Sequence, residues 1–166
     1  DVSELNHLAA RNTLKFHGLT QWVEIHYDGD LPARSGLGSS SSFTVGLLNA
    51  IYAYKRVPVT AKRLAGEAIY IEQHLNRENV GSQDQINAAY GGFNRIRFHK
   101  NGKFSVKPIS ISQARKNELS GDLMLFYTGI MRTAEDVASS YATSPEERDS
   151  QFTALSKITT RAGEII

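Results

Sequence analysis

Residues Gly36-Leu37-Gly38-Ser39-Ser40-Ser41-Ser42 set two glycines and four hydroxyls directly before an apolar run that starts at Phe43. A glycine turn that feeds a helix aims bare backbone N–H groups at one point, and the helix dipole makes that point positive. Gly36 and Gly38 can take positive φ, so a ligand can approach the backbone closely. The chemistry this junction suits is the holding of phosphate oxygens, with the serines as hydroxyl donors or hard ligands for a cation. A flexible loop that merely caps a helix accounts for the same residues without any ligand.

Two familiar phosphate loops are excluded. A Walker A loop needs a lysine just after its last glycine, and the next lysine here is Lys55. The dinucleotide fingerprint needs a third glycine, and Ser41 stands in its place. Without a loop lysine, phosphate charge has to be neutralised by backbone donors, Mg²⁺ and an acidic ligand for that metal.

The elements that must position this turn follow from periodicity. Leu5, Leu8, Ala9 and Phe16 predict a helix over 3–17 with Ser3 as its N-cap. Trp22 to Asp28 alternates apolar and polar residues, which predicts a half-buried strand. Ser41 to Tyr54 reads as a mostly buried helix that ends before Val57-Pro58. Thr60 caps a second helix that runs to about Asn76, with Leu64, Ala68, Ile71 and Leu75 on one stripe. Residues 79–92 form a loop and a short helix. Phe93 to Phe98 pairs with Phe104 to Pro108 across Lys100-Asn101-Gly102-Lys103. Residues 122–127 read as a buried strand, and helical stretches begin at Thr133 or Ser144.

Composition narrows the classes. The chain has 166 residues, 40% hydrophobic, with no cysteine and a formal charge of +2. Disulfides and thiolate zinc sites are thereby excluded. The five histidines show no metal-ligand spacing. Arg95, Arg97, His99, Lys100 and Lys103 cluster but alternate with apolar residues, which suits a solvated strand face better than an RNA surface. No apolar run approaches membrane length and no signal peptide is visible, so a soluble cytoplasmic protein is expected.

Pro32 to Ser42 resembles the second signature of the GHMP kinases: a proline, three variable residues, Gly-Leu-Gly-Ser-Ser and two small residues. Gly81-Ser82-Gln83-Asp84-Gln85 is similar to the family segment that carries an active-site aspartate. Glu72, twelve residues before Asp84, matches the family's magnesium glutamate as placed in galactokinase-like members. Within the superfamily, Leu31 to Leu48, Glu78 to Gln85, Tyr90 to Asn94, and Phe126 to Gly129 with Arg132 are similar to D-glycero-D-manno-heptose 7-phosphate kinases.

That resemblance implies an α+β fold. Residues 1–118 would hold part of the GHMP kinase N-terminal, ATP-binding domain, whose architecture is shared with a ribosomal protein domain. Residues 119–166 would start the ferredoxin-like C-terminal domain. It implies ATP and Mg²⁺ as cofactors and a sugar phosphate as the other partner, with neither nucleic acid nor membrane. The expected reaction is phosphorylation of the anomeric 1-hydroxyl of heptose 7-phosphate, on the way to nucleotide-activated heptose for surface glycans. Gly36, Leu37, Gly38, Ser39 and Ser40 would present donors to the ATP phosphates. Ser40 and Glu72 would hold the metal. Asp84 would be catalytic, either removing the acceptor proton or orienting the hydroxyl. The rival for Asp84 is a plain helix N-cap. Arg34 and Arg132 are candidates for the sugar's phosphate, because arginine grips phosphate bidentately.

The family's first and third signatures have no match here, so an interior piece of a protein about twice as long is expected, with weak or no activity alone. The alternative functions are another GHMP small-molecule kinase, galactokinase-like, and a sugar or ATP sensor without catalysis. An RNA-binding domain is the most distant rival.

Overall fold

The computed structural model describes residues 1–21, 23–29, 36–126, 129 and 145–166. Of these, 1–91 form one compact unit, and 92–129 with 145–166 form another.

The first unit is helical and starts differently from the expected 3–17 helix. Asp1 accepts the Ser3 N–H at 2.9 Å and caps a single 3₁₀ turn, Val2–Glu4. Helix α1 then begins afresh at Leu8–Phe16, where His7 Nδ1 accepts the Ala10 N–H at 3.3 Å. Ser3 is therefore not the cap of α1. A side-chain acceptor close behind each start offers the backbone a local partner, and that breaks the run in two.

Helix α2 (Ser39–Tyr54) is the centre of this unit. Leu47 and Ile51 pack with Val2, Ala10 and Leu14 on one side. Val45, Leu48 and Tyr52 pack with Leu64, Ala68 and Ile71 on another. A helix buried on two flanks has little need of a polar face, which is why the sequence of α2 is apolar almost all round. Helix α3 (Ala61–Tyr70) starts where Thr60 Oγ1 accepts the Arg63 N–H at 3.2 Å. Its last turn widens into a π turn, Ile71–Leu75, closed by the Asn76 N–H on the Ile71 carbonyl at 2.7 Å.

The chain then reverses. Arg77 takes φ 59°, and the Glu78 N–H returns to the Glu72 carbonyl at 3.0 Å. Gln73 Nε2 donates to the Val80 carbonyl at 2.9 Å and to Ser82 Oγ at 3.2 Å, which fastens the returning loop. Helix α4 (Gln83–Tyr90) follows, with Ile86 fully buried and Ala88 and Ala89 against the α2–α3 cluster.

Two predicted strands are corrected. Residues 23–29 carry no ladder, although Val23, Ile25 and Tyr27 do share a side and line an apolar cleft of about 410 Å³ with Val2, Leu5 and Leu14. Leu123, Met124, Leu125 and Phe126 are also not a strand and lie exposed rather than buried. In both segments the pattern suits a sheet, but no described strand pairs with them, and an extended run gains a ladder only from a neighbour.

In the second unit, β1 (Asn94–Phe98) pairs antiparallel with β2 (Phe104–Pro108), Asn94 opposite Pro108 and Phe98 opposite Phe104. The loop is not a two-residue turn, because Asn101 is not left-handed. The Gly102 N–H bonds the His99 carbonyl at 3.0 Å with Gly102 at φ 75°, a three-residue loop with glycine in the left-handed place. Helix α5 (Gln113–Gly121) starts at Ser112, whose Oγ accepts the Arg115 N–H at 3.1 Å. It buries nothing, so no apolar stripe announces it in the sequence. A further helix spans Pro145–Ile165. Thr133 and Ser144 lie outside the described residues. No helix among the described residues is long and apolar enough to cross a membrane.

Candidate active site

Gly36 and Gly38 adopt φ 76° and 70°, the left-handed region that a Cβ disfavours. Gly38 is the N-cap of α2, and its carbonyl accepts the Ser42 N–H at 2.9 Å. No side chain caps this helix end. The first N–H groups of α2, from Ser39 onward, therefore have no partner within the helix and face an outside acceptor. Leu37 and Ser40 are exposed and Ser39 is half-buried, so the turn is open to solvent on this side.

Asp84 lies against that turn. A Cβ built on Gly38 would stand 3.2 Å from Asp84 Cγ and 3.4 Å from Oδ2. The carboxylate is half-buried and makes no hydrogen bond or ion pair among the described residues. Ser82, not Asp84, is the N-cap of α4, and Asp84 sits in the first helical turn. Asp84 therefore does not hold the N-cap position, and the Ser82 side chain there makes no capping bond but accepts from Gln73.

Glu72 sits in the π turn and is almost wholly buried. Its Oε2 accepts from Ser41 Oγ at 2.9 Å and from Gln85 Nε2. Its Oε1 is buried with no hydrogen-bond partner. Burial pushes the Glu72 carboxyl above the usual carboxylate range, while the hydrogen bonds from Ser41 and Gln85 and the nearby Thr44 hydroxyl, which itself donates to the Ser40 carbonyl at 3.2 Å, oppose the rise. A π turn at this point fits the tendency of such widenings to fall at functional positions.

The structure therefore brings Glu72 to α2 through Ser41 and brings Asp84 to Gly38. Ser40 is exposed, and the hydroxyl that reaches Glu72 is that of Ser41. Arg34 and Arg132 lie outside the described residues. Among the described residues no cluster of three or more acidic, histidine or cysteine side chains could cage a metal. One carboxylate oxygen without a donor, with a serine hydroxyl at the turn, is the sparse hard-oxygen set that Mg²⁺ takes when phosphates complete its shell. The donor chemistry fits that ion.

Sequence reading treated Ser41 only as one of the hydroxyls at the turn and gave Gln85 no role of its own. A signal existed for Ser41, which heads the buried stripe Ser41, Val45, Leu48 and Tyr52 of α2. Gln85 had no signal beyond its place beside Asp84.

Comparison with known proteins fits this geometry. Residues 4–92 match the family model for the GHMP kinases N terminal domain. The chain is 34% identical over 113 residues to a D-glycero-alpha-D-manno-heptose 7-phosphate kinase of Campylobacter jejuni, covering 68% of this chain and 33% of that protein. It also resembles the crystal structure of a D-glycero-D-manno-heptose 1-phosphate kinase from Bacteriodes thetaiotaomicron, with a TM-score of 0.56 and 28% identity. That match covers 67% of this chain and 37% of the other. The chain thus spans about a third of the length of each relative.

Proposed function

Because this chain belongs to the GHMP kinase family, we propose that it supplies the phosphate-binding and proton-handling part of an ATP-dependent sugar kinase. The acceptor we propose is the 1-hydroxyl of D-glycero-D-manno-heptose 7-phosphate, which would provide heptose 1,7-bisphosphate for nucleotide-activated heptose. The observation that supports this most directly is the placing of Asp84 against Gly38, with the buried Glu72 bonded to Ser41 three residues further on.

In this reading the N–H groups from Gly36 to Ser40 hold the ATP phosphates. Glu72, through its free Oε1, and Ser40 would hold Mg²⁺. When bound, that ion neutralises charge on the phosphate oxygens. Asp84 orients the acceptor hydroxyl and takes its proton. The acceptor oxygen bonds to the γ-phosphorus, the bond to the bridging oxygen breaks, and ADP leaves. Arg34 and Arg132 are proposed to grip the sugar's own phosphate. Cytoplasmic location follows from the availability of ATP and belongs to the same proposal.

The two relatives differ in the phosphate their names carry, 7-phosphate in one and 1-phosphate in the other. An ATP-coupled screen of acceptors with the whole protein separates the readings. Turnover of heptose 7-phosphate with a product phosphorylated at carbon 1, and none of galactose or mevalonate, is expected. Preference for an unphosphorylated sugar overturns the heptose assignment, and absence of any ATP-dependent transfer overturns the kinase reading.

A further inference from the structure

Glu72 is a joint between three elements: it stands in the π turn, Ser41 reaches it from α2, and Gln85 reaches it from α4. Both donors land on the same oxygen, Oε2. The other oxygen, Oε1, is buried and has no donor. Gln85 Oε1 is likewise buried without a partner. A carboxylate that served packing alone would share its donors between its two oxygens, because a buried acceptor left unpaired is costly. Two donors gathered on one side instead fix the rotation of the carboxylate plane and keep the second oxygen vacant.

We propose that Ser41 and Gln85 are positioning residues that lock Glu72 through Oε2 and reserve its Oε1 for a divalent cation. This rests on the reading of Glu72 as a metal-holding residue. Neither side chain needs to touch the ion or the reacting atoms. Ser41 lies on the first turn of the helix whose head carries the glycine turn, and Gln85 directly follows Asp84. The two hydrogen bonds therefore also tie the metal carboxylate to both other parts of the site. Hydrogen-bond partners behind a metal ligand set its orientation, and their loss typically costs about 10–100-fold in metal affinity.

The test uses the whole protein with Ser41→Ala, Gln85→Met and Glu72→Gln. Mn²⁺ binding is measured directly by electron paramagnetic resonance of the free ion, alongside the Mg²⁺ dependence of turnover and the melting temperature. Ser41→Ala and Gln85→Met are each expected to weaken Mn²⁺ about 10-fold or more. The KM for Mg²⁺ should rise in step, with kcat at saturating Mg²⁺ largely kept. Two variants on different helices keep the test open if one fails to fold. Wild-type Mn²⁺ affinity in both, with affinity lost in Glu72→Gln, overturns the positioning role alone. A lower melting temperature and kcat with unchanged metal dependence overturns it too, as mere packing. Wild-type affinity in Glu72→Gln overturns the metal reading of Glu72 itself.

Discussion

Asp84 and Gly38 are best understood together, because each restricts the other. Gly38 needs no Cβ for two reasons: its φ is 70°, and a Cβ would press on Asp84 at 3.2 Å. Gly38→Ala is expected to cost about 1–2 kcal/mol from the left-handed backbone alone, seen as a lower melting temperature. It should also reduce turnover by shifting the Asp84 carboxylate. Asp84→Asn should leave the fold intact, since no described residue bonds its carboxylate, and lower kcat by about 10²–10⁴-fold if it handles the proton. A sensor without catalysis would keep its ligand response in that variant, so paired turnover and ATP-binding measurements distinguish the two. Glu72 gives a different signature. Its folded pKa is raised, so the folded state holds the proton more tightly than the unfolded one. Stability is then lost as pH rises from about 4.5 through the folded value. In chelator, Glu72→Gln should melt higher than wild type at pH 7, and the gap should close by about pH 4, as read by calorimetry.

At the scale of elements, α3 depends on its start and α1 on its end. Thr60→Ala removes the oxygen that accepts the Arg63 N–H and should cost about 1 kcal/mol in chemical denaturation. The end of α1 is held by a polar cluster: His17 lies 3.5 Å from Glu67 of α3 and edge-on to Tyr52 of α2. Tyr52 donates to Glu67 at 2.7 Å, and burial pushes its phenol up to about 12, so that bond persists over the working pH range. Burial also lowers the His17 pKa, opposed by Glu67 and assisted by Lys55 and Arg63. A lowered histidine favours its neutral form in the fold, so stability falls as pH drops below about 6.5 towards the folded value. The melting temperature should decline over that window, and His17→Gln should flatten the decline. Helices with a buried stripe were legible in the sequence, as α2, α3 and α4 show, and α3 alone of these adds a capping hydroxyl. The hairpin was legible from Asn101-Gly102. α5 was not, because a helix that buries nothing leaves no apolar period, and the π turn was not, because a hydrogen-bond ladder widened by one residue alters no side-chain pattern.

For the whole molecule, the glycine turn was readable from its residues and Glu72 and Asp84 through the resemblance to the GHMP kinases, while the partners of Glu72 depended on how three separate segments meet. The strands expected at 22–28 and 122–127 show the limit of pattern reading: alternation and apolar runs state what a sheet would accept, not whether a neighbour is there to pair. Leu123, Met124, Leu125 and Phe126 stand exposed, as do Phe152, Leu155 and Ile158 of the last helix. Apolar surface of that kind invites association. The 166-residue chain by itself should elute in size-exclusion chromatography with a concentration-dependent apparent mass. The wide turn at Ile71–Leu75 carries a consequence for chain length itself. It accommodates one residue more than an α-helical ladder would, so removing a single residue there lets the ladder close at ordinary pitch. The segment beyond stays in place, because the widened turn is what absorbs the extra residue. The deletion would leave a well-formed helix without the widened turn that presents Glu72 to Ser41 and Gln85, so a shortened relative could fold normally and still be catalytically silent.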